Sequence, residues 1–157
     1  MGLVTVGIGE CKVSADKDVI LKTYALGSCV GVIMIDRINF VGGMLHAALP
    51  EFDNIVQDTE KDKSRYVDTG IEFLIGRMKE CGALIGAIEV YLYGGASVMD
   101  PRSFLQIGKK NVAQAKLILE GSGLRLIKED TGGDVSRTIS LNIGTGEITV
   151  QRNSLGS

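Results

Sequence analysis

A short apolar run decides the fold, and it reads Gly31-Val32-Ile33-Met34-Ile35-Asp36. Its length and its branched aliphatic residues are typical of a β-strand that is buried on both faces. Arg37-Ile38 after it predicts a tight turn, and Phe40–Leu49 predicts a second strand that runs back along the first. These residues therefore indicate an antiparallel hairpin.

Outward from this hairpin, the sequence predicts further strands and two helices. A first helix is predicted over 64–81, where apolar residues recur at helical spacing, with Ser64 or Asp62 as its cap and Gly82 as its end. Many strands with two inserted helices indicate an α+β fold, with the helices on one face of a mixed sheet. The other predicted elements are a helix over 108–120 that ends at Gly121 or Gly123, strands at Val19–Ala25, Ala87–Tyr93, Leu124–Glu129, Arg137–Ile143 and Ile148–Arg152, and an exposed loop at Asp53–Lys63.

Composition limits the class of protein. At 157 residues the chain is most simply one domain, 1–157, with 45% apolar residues and a formal net charge of −2. Its lysines and arginines do not cluster, so no nucleic-acid partner is expected. The longest apolar stretch, Val30–Ile35, is too short for a bilayer of about 30 Å, so no membrane insertion is expected. No secretion signal is recognisable, and we expect a cytoplasmic protein.

The chain has three cysteines, Cys11, Cys29 and Cys81, and one histidine, His46. An odd number of cysteines without a CxxC pair predicts free thiols in a reducing compartment. A metal site needs three or four clustered ligands, so neither a metal nor a cofactor is expected. Cys11 and Cys81 have no histidine near them in the sequence and are predicted to be structural.

Cys29 and His46 lie in two glycine-bearing segments, Ala25-Leu26-Gly27-Ser28-Cys29-Val30 and Gly42-Gly43-Met44-Leu45-His46. In the register that a hairpin tip at Arg37-Ile38 sets, Cys29 faces His46. Opposed Cβ atoms are then about 5 Å apart, which is close to hydrogen-bond reach for a thiol and an imidazole. An imidazole that takes the proton of a thiol makes it a nucleophile, so this pair can support acyl chemistry.

Neighbouring residues could complete a catalytic site. The ring of His46 needs a group that orients it, and either the hydroxyl of Thr23 or a backbone carbonyl can accept its N–H. Gly27 and Ser28 allow a sharp turn at Cys29, whose surrounding N–H groups can form part of an oxyanion hole. The alternative is a structural role, because a cysteine that enters an apolar strand usually belongs to the core. Composition alone leaves both roles open.

An ordered set of short motifs runs along nearly the whole chain. They are Thr23, Leu26-Gly27-Ser28-Cys29-Val30, Gly42-Gly43-Met44, His46, Leu49-Pro50, Tyr66-Val67-Asp68-Thr69-Gly70-Ile71, Tyr93-Gly94-Gly95-Ala96, Ile107-Gly108-Lys109-Lys110-Asn111-Val112, Glu129-Asp130-Thr131-Gly132-Gly133 and Arg137. This set resembles the signature of the CheD family, the chemoreceptor glutamine deamidases. Lys110, Asp134 and Ser136 depart from the residues usual in that family, which bears on surface contacts rather than on the chemistry.

The resemblance implies a role for each site residue. Cys29 corresponds to the nucleophile, His46 to the general base and acid, and Thr23 to the residue that orients His46. It also implies a layered α/β/β sandwich with mixed sheets and two main helices, similar to cysteine-dependent toxin deamidases of the cytotoxic necrotizing factor type. In those toxins the third member of the site is a backbone carbonyl.

The implied activity is that of a protein-glutamine glutaminase, a hydrolase of chemotaxis. Such an enzyme converts specific glutamine side chains of methyl-accepting chemotaxis receptors to glutamate and releases ammonia through a cysteine thioester. The resemblance also implies docking with a CheC-type phosphatase, so a non-catalytic regulatory partner of that phosphatase is the alternative. A cysteine esterase or transglutaminase would differ only in the acyl donor or acceptor.

Overall fold

The computed structural model describes residues 2–52, 63–97 and 106–155. Over these residues the chain forms nine strands in two sheets, two α-helices and one short 3-10 turn. The strands are β1 Gly2–Thr5, β2 Cys11–Ser14, β3 Val19–Leu26, β4 Val30–Asp36, β5 Val41–Ala47, β6 Ile88–Gly94, β7 Arg125–Thr131, β8 Val135–Asn142 and β9 Ile148–Ser154, and the helices are α1 Val67–Glu80 and α2 Ile107–Ser122.

The predicted hairpin forms the centre of a five-stranded sheet in the order β2-β5-β4-β6-β7. Strands β4 and β5 are buried along their whole length, as the continuous apolar run predicts. Strand β7 runs parallel to β6, whereas the other neighbours in this sheet are antiparallel. A second sheet of four strands has the order β1-β3-β8-β9, and in it only β1 and β3 are parallel. Both sheets are therefore mixed.

The side chains of β4 alternate between two cores. Val30, Val32 and Met34 face a core that both helices cover. Ile33 and Ile35 face the opposite way, into a core that the four-stranded sheet closes with residues of β3 and β8. The layers are thus helices, five-stranded sheet and four-stranded sheet, which confirms the α+β class and the α/β/β sandwich. None of the helices in the described ranges is long and apolar enough to cross a membrane.

The predicted register of the central hairpin is wrong by two residues. Its loop has four residues, Arg37–Phe40, so that Asp36 pairs with Val41 and Gly31, not Cys29, faces His46. The side chain of Asp36 holds this wider loop, because its Oδ1 accepts the N–H groups of Ile38 and Asn39 at 3.0 Å each. Phe40 closes the loop with a φ of 55°.

The first helix begins later than the sequence predicts. Its N-cap is Tyr66, without a side-chain cap, whereas the sequence predicts Ser64 or Asp62 as the cap. The physical reason lies in the chain that leaves β5: the carbonyl of Leu49 accepts the N–H of Val67 at 2.8 Å, which replaces a side-chain cap. Residues 53–62 of the predicted loop at Asp53–Lys63, including Asp62, lie outside the described residues.

Both helices end next to a glycine that the sequence predicts as a helix end. Helix α1 stops at Glu80, and Gly82 just beyond it has a φ of 102°; α2 ends at Gly123, with a φ of 75°. Strands β1 and β2, in contrast, are not predicted. Each has only four residues, too few to show an alternating pattern.

Candidate active site

The site lies where the two sheets face each other. Thr23 projects from β3 of the four-stranded sheet, on the same face as the core residue Leu21. His46 projects from β5 of the five-stranded sheet toward it, and both side chains are buried. The Thr23 hydroxyl lies 2.7 Å from Nδ1 of His46, so the hydroxyl is the group that contacts the ring.

The hydrogen bonds of Thr23 fix the tautomer of His46. A threonine hydroxyl has one hydrogen, and here Oγ1 donates it to the carbonyl of Val6 at 2.6 Å. Toward His46 it must therefore accept, which places the proton of a neutral ring on Nδ1. The other nitrogen, Nε2, carries the lone pair and has no hydrogen-bond partner among the described residues. Nε2 is thus an unprotonated nitrogen that is available to accept a proton in the site.

The segment before β2 holds the backbone of His46. The His46 carbonyl accepts the N–H of Gly9 at 2.8 Å, and the His46 N–H donates to the carbonyl of Glu10 at 3.0 Å. The side chain is 3% exposed, and this burial lowers the pKa of His46 from 6.5 to about 4. The imidazole is therefore neutral at pH 7, the form in which it can accept a proton.

Cys29 shares a sheet face with His46. It is the last residue before β4, two positions ahead of Gly31, which directly faces His46. Cys29 itself lies in a bend, and its side chain packs against the core between the two sheets, into which His46 also projects. The thiol is half-buried, and burial raises the pKa of Cys29 above its ordinary value, partly offset by a hydrogen bond from its own N–H. At neutral pH the thiol keeps its proton.

Three consecutive carbonyls anchor the turn that carries Cys29. The Gly27 carbonyl accepts the N–H of Ala96 at 2.8 Å, and the Cys29 carbonyl accepts the N–H of Gly95 at 2.9 Å. The Ser28 carbonyl accepts Nδ2 of Asn111 at 2.9 Å. In a trans peptide the N–H of the next residue points away from the carbonyl, so these bonds also set the directions of the Ser28 and Cys29 N–H groups. Neither N–H donates to another residue in the described part of the chain.

Comparisons with known proteins identify the family. Residues 48–152 match the family model described as CheD chemotactic sensory transduction. The chain belongs to the CheD family. Over 155 residues it is 46% identical to a protein of Thermococcus kodakarensis named probable chemoreceptor glutamine deamidase CheD, covering 98% of this chain and 94% of that relative.

Two further relatives are also named as probable chemoreceptor glutamine deamidases. A Pyrococcus horikoshii protein is 42% identical, with 95% of this chain and 91% of the relative covered. A Methanosarcina acetivorans protein is 40% identical, with 96% and 92% covered. Among solved structures, a Neisseria meningitidis protein of the DUF152 family superposes with a TM-score of 0.55 at 12% identity, covering 85% of this chain and 64% of that one. This last likeness concerns the fold alone.

The sequence analysis explains Gly27 by the sharp turn that a glycine allows at Cys29, and the structure corrects this explanation. Gly27 does not have a positive φ, and a methyl group added to it would meet nothing within 4 Å. The left-handed residue of this segment is Ala25, with a φ of 52°. Glycine is instead required at Gly94, where φ is 102° and a methyl group would collide with the Cys29 carbonyl. Gly94-Gly95 is thus a turn that packs against the segment that carries Cys29.

Several residues that build the site were given no role by sequence reasoning. The carbonyl of Val6 has no sequence signature, since any residue supplies one. Arg137 is buried and donates to the carbonyls of Gly94 and Gly132 at 3.3 and 3.0 Å and to Asp130, which ties β8 to the turn that holds Cys29. Asn111 did carry a signal, because it is a polar residue on the buried stripe of α2.

The other two cysteines lie away from this centre. Cys11 and Cys81 pack against the helix-covered core, and burial raises the pKa of Cys11 to about 12. All three cysteines are free thiols in the structure. Within the described ranges, no three His, Cys, Asp or Glu side chains lie close enough together to hold a metal ion.

Proposed function

We propose that this chain is a chemoreceptor glutamine deamidase in which Cys29 is the nucleophile, His46 the general base and acid, and Thr23 the orienting residue. The observation that carries the proposal is the Thr23–His46 hydrogen bond, which leaves Nε2 without a partner on the sheet face that also carries Cys29. The names of the curated relatives support the substrate class.

The reaction begins with two neutral groups. Nε2 of His46 takes the proton of the Cys29 thiol as the sulfur attacks the side-chain amide carbon of a receptor glutamine. The tetrahedral intermediate collapses when His46 returns that proton to the leaving nitrogen, so ammonia departs and a thioester remains. Nε2 then takes a proton from water, which attacks the thioester, and His46 returns that proton to the Cys29 sulfur as the C–S bond breaks. The products are glutamate, ammonia and the free thiol, and one water is consumed.

The turn at Cys29 supplies the groups that stabilise the developing oxyanion. The N–H groups of Ser28 and Cys29 are held in direction by the anchored carbonyls that precede them. Donors that are already oriented need no reorganisation when the negative charge forms, which is the basis of oxyanion stabilisation. We therefore assign these two N–H groups to the oxyanion hole.

The substrate surface is the cytoplasmic part of a chemoreceptor, where deamidation creates a carboxylate that can be methylated. A methyl-glutamate ester has a similar carbonyl, so slow ester hydrolysis is expected from the same residues. A CheC-type phosphatase is the partner that the family implies. If that partnership were the main role, the chain would bind the phosphatase without needing Cys29.

The test is incubation with the cytoplasmic fragment of a chemoreceptor from the same organism, followed by peptide mass spectrometry. The wild-type chain is expected to convert specific glutamines to glutamate, and C29A to convert none. C81A is the matched control, because it removes a thiol at the end of α1, away from the site, and should retain activity. Absence of conversion by the wild type would favour the non-catalytic phosphatase partner.

A further inference from the structure

Asn111 contacts both halves of the site through one amide group. Its Nδ2 donates to the Ser28 carbonyl at 2.9 Å and to the Ala48 carbonyl at 3.0 Å. Ser28 precedes Cys29, and Ala48 follows His46 by two residues. The amide therefore bridges the segment that carries the thiol and the segment that carries the imidazole, although 63 residues or more separate it from either in sequence.

The surroundings of Asn111 indicate that this bridge has no substitute. The side chain is completely buried on the core-facing stripe of α2, and Oδ1 has no partner among the described residues. No other donor within those residues reaches the Ser28 or Ala48 carbonyl. A buried amide usually has hydrogen-bond partners at both its oxygen and its nitrogen. Here the oxygen has none, so the two hydrogen bonds that Nδ2 donates offset the free-energy cost of burying Asn111.

The bridge acts on atoms that matter for the chemistry. The Ser28 carbonyl and the Cys29 N–H belong to one planar peptide, so an anchored carbonyl fixes the direction of that N–H. At the other end, the Ala48 carbonyl belongs to the residue directly after β5, two positions beyond His46. We propose that Asn111 is a positioning residue that sets the geometry between the Cys29 turn and His46. This inference rests on the proposed function, and it names a residue that touches neither the substrate nor the reacting atoms.

A first test compares deamidation by N111D and N111S with the wild type across pH. N111S lacks both donors and is expected to lower kcat at least about tenfold at every pH, with KM changed less than about threefold. N111D places a buried carboxyl against two carbonyls; it donates only when protonated, and burial favours the protonated form. The ratio of N111D to wild-type kcat is therefore expected to rise several-fold from about pH 8 to about pH 6.

The control is Q114E, three residues further along α2, which makes the same amide-to-carboxyl change at a half-buried residue that bonds neither carbonyl. Its ratio to wild type should be constant across pH. Circular dichroism and thermal unfolding identify the fraction of each variant that is folded. The inference is overturned if N111D follows the wild type, or if N111D and N111S lose activity by the same factor at all pH values.

A second test needs no receptor and so separates failure of this inference from failure of the proposed function. The alkylation rate of Cys29 by iodoacetamide is measured by peptide mass spectrometry in wild type, H46Q, N111S and the double variant. If Asn111 sets the thiol–imidazole geometry, H46Q slows alkylation about tenfold in the wild-type background but less than about twofold in the N111S background. Equal factors in both backgrounds overturn the inference and leave the deamidase standing. No effect of H46Q in either background overturns both.

Discussion

At the scale of the residue, the hydroxyl of Thr23 decides which nitrogen of His46 carries the lone pair. It accepts from Nδ1 because its only hydrogen is given to the Val6 carbonyl. T23V keeps the shape but removes this acceptor, so a tautomer with the proton on Nε2 becomes competitive. We expect kcat for deamidation to fall at least about tenfold with little change in KM, and T23S to recover most of the loss.

The same change can be followed without substrate. His46 is the only histidine of the chain, so nitrogen NMR of the imidazole gives one set of signals. The wild type should show a protonated Nδ1 and a bare Nε2, and T23V a mixture of tautomers. A wild-type ring with its proton on Nε2 would contradict the proposed direction of proton transfer.

Burial of His46 also predicts how stability depends on pH. Its pKa is about 4 in the folded chain and about 6.5 in an unfolded one, so between these values the unfolded state binds more protons. Stability therefore rises with pH across this window and is lost as pH falls from about 6.5 to about 4. The expected loss is about 3 kcal/mol at most. Urea unfolding should show a shallower pH dependence for H46Q over this window, and identical slopes would exclude the shift.

At the scale of the element, the central hairpin shows which features of the fold the sequence predicts and which it does not. The apolar run predicts β4 and β5. It also predicts that Cys29 and His46 share a sheet face, because a register shift of two residues leaves each side chain on its face. It does not predict the register itself. The loop is widened by Asp36, which also accepts the Leu84 N–H at 2.9 Å. That contact joins residues 48 positions apart, beyond what turn residues alone can indicate.

The same limit applies to the strands that the sequence does not predict. Strand β1 and the residues after it supply the Val6 carbonyl and the bonds to the His46 backbone, yet their pattern is too short to be recognised. Asn111 is visible as a polar residue on a buried stripe, but its two acceptors lie in segments that only the folded chain brings near. Residue identity thus predicted which side chains belong to the candidate site, and tertiary contacts decided its geometry.

Two glycines of helix α1 provide a matched pair at this scale. A methyl group on Gly70 would come within 2.9 Å of the Leu45 side chain on the sheet below, whereas one on Gly76 would meet nothing within 4 Å. G70A should lower the free energy of unfolding by about 1–3 kcal/mol through overpacking. G76A should raise it by about 0.5–1 kcal/mol, because alanine favours the helix. Denaturant unfolding measures the free energy of unfolding of both variants. A G70A variant more stable than the wild type would mean that the helix moves freely on the sheet.

At the scale of the whole molecule, the site is a property of the contact between two sheets. Thr23 belongs to one sheet and His46 to the other, so their 2.7 Å hydrogen bond crosses the inter-sheet core. The α+β class and the helix-covered face follow from the order of elements in the sequence. The separation of the sheets does not, because side chains from β3, β4, β5 and β8 set it together.

Gly31 is the residue at which this separation can be tested. It faces His46 across the hairpin, and a methyl group on it would lie 2.8 Å from Ile139 Cδ1 and 2.9 Å from Leu26 Cδ1. G31A should therefore lower the free energy of unfolding by about 1–3 kcal/mol. It should also reduce kcat, because Leu26 directly precedes the turn that carries Cys29.

The matched control for stability is G27A, since Gly27 has open space around it and does not have a positive φ. Its free energy of unfolding should stay within about 0.5 kcal/mol of the wild type. Both variants are compared by urea unfolding at a pH above the His46 transition, where the imidazole is neutral in both states. If G31A were as stable as G27A and equally active, the two sheets could move apart with no loss in the free energy of unfolding. That result would contradict the view that close packing between the sheets holds Thr23 against His46.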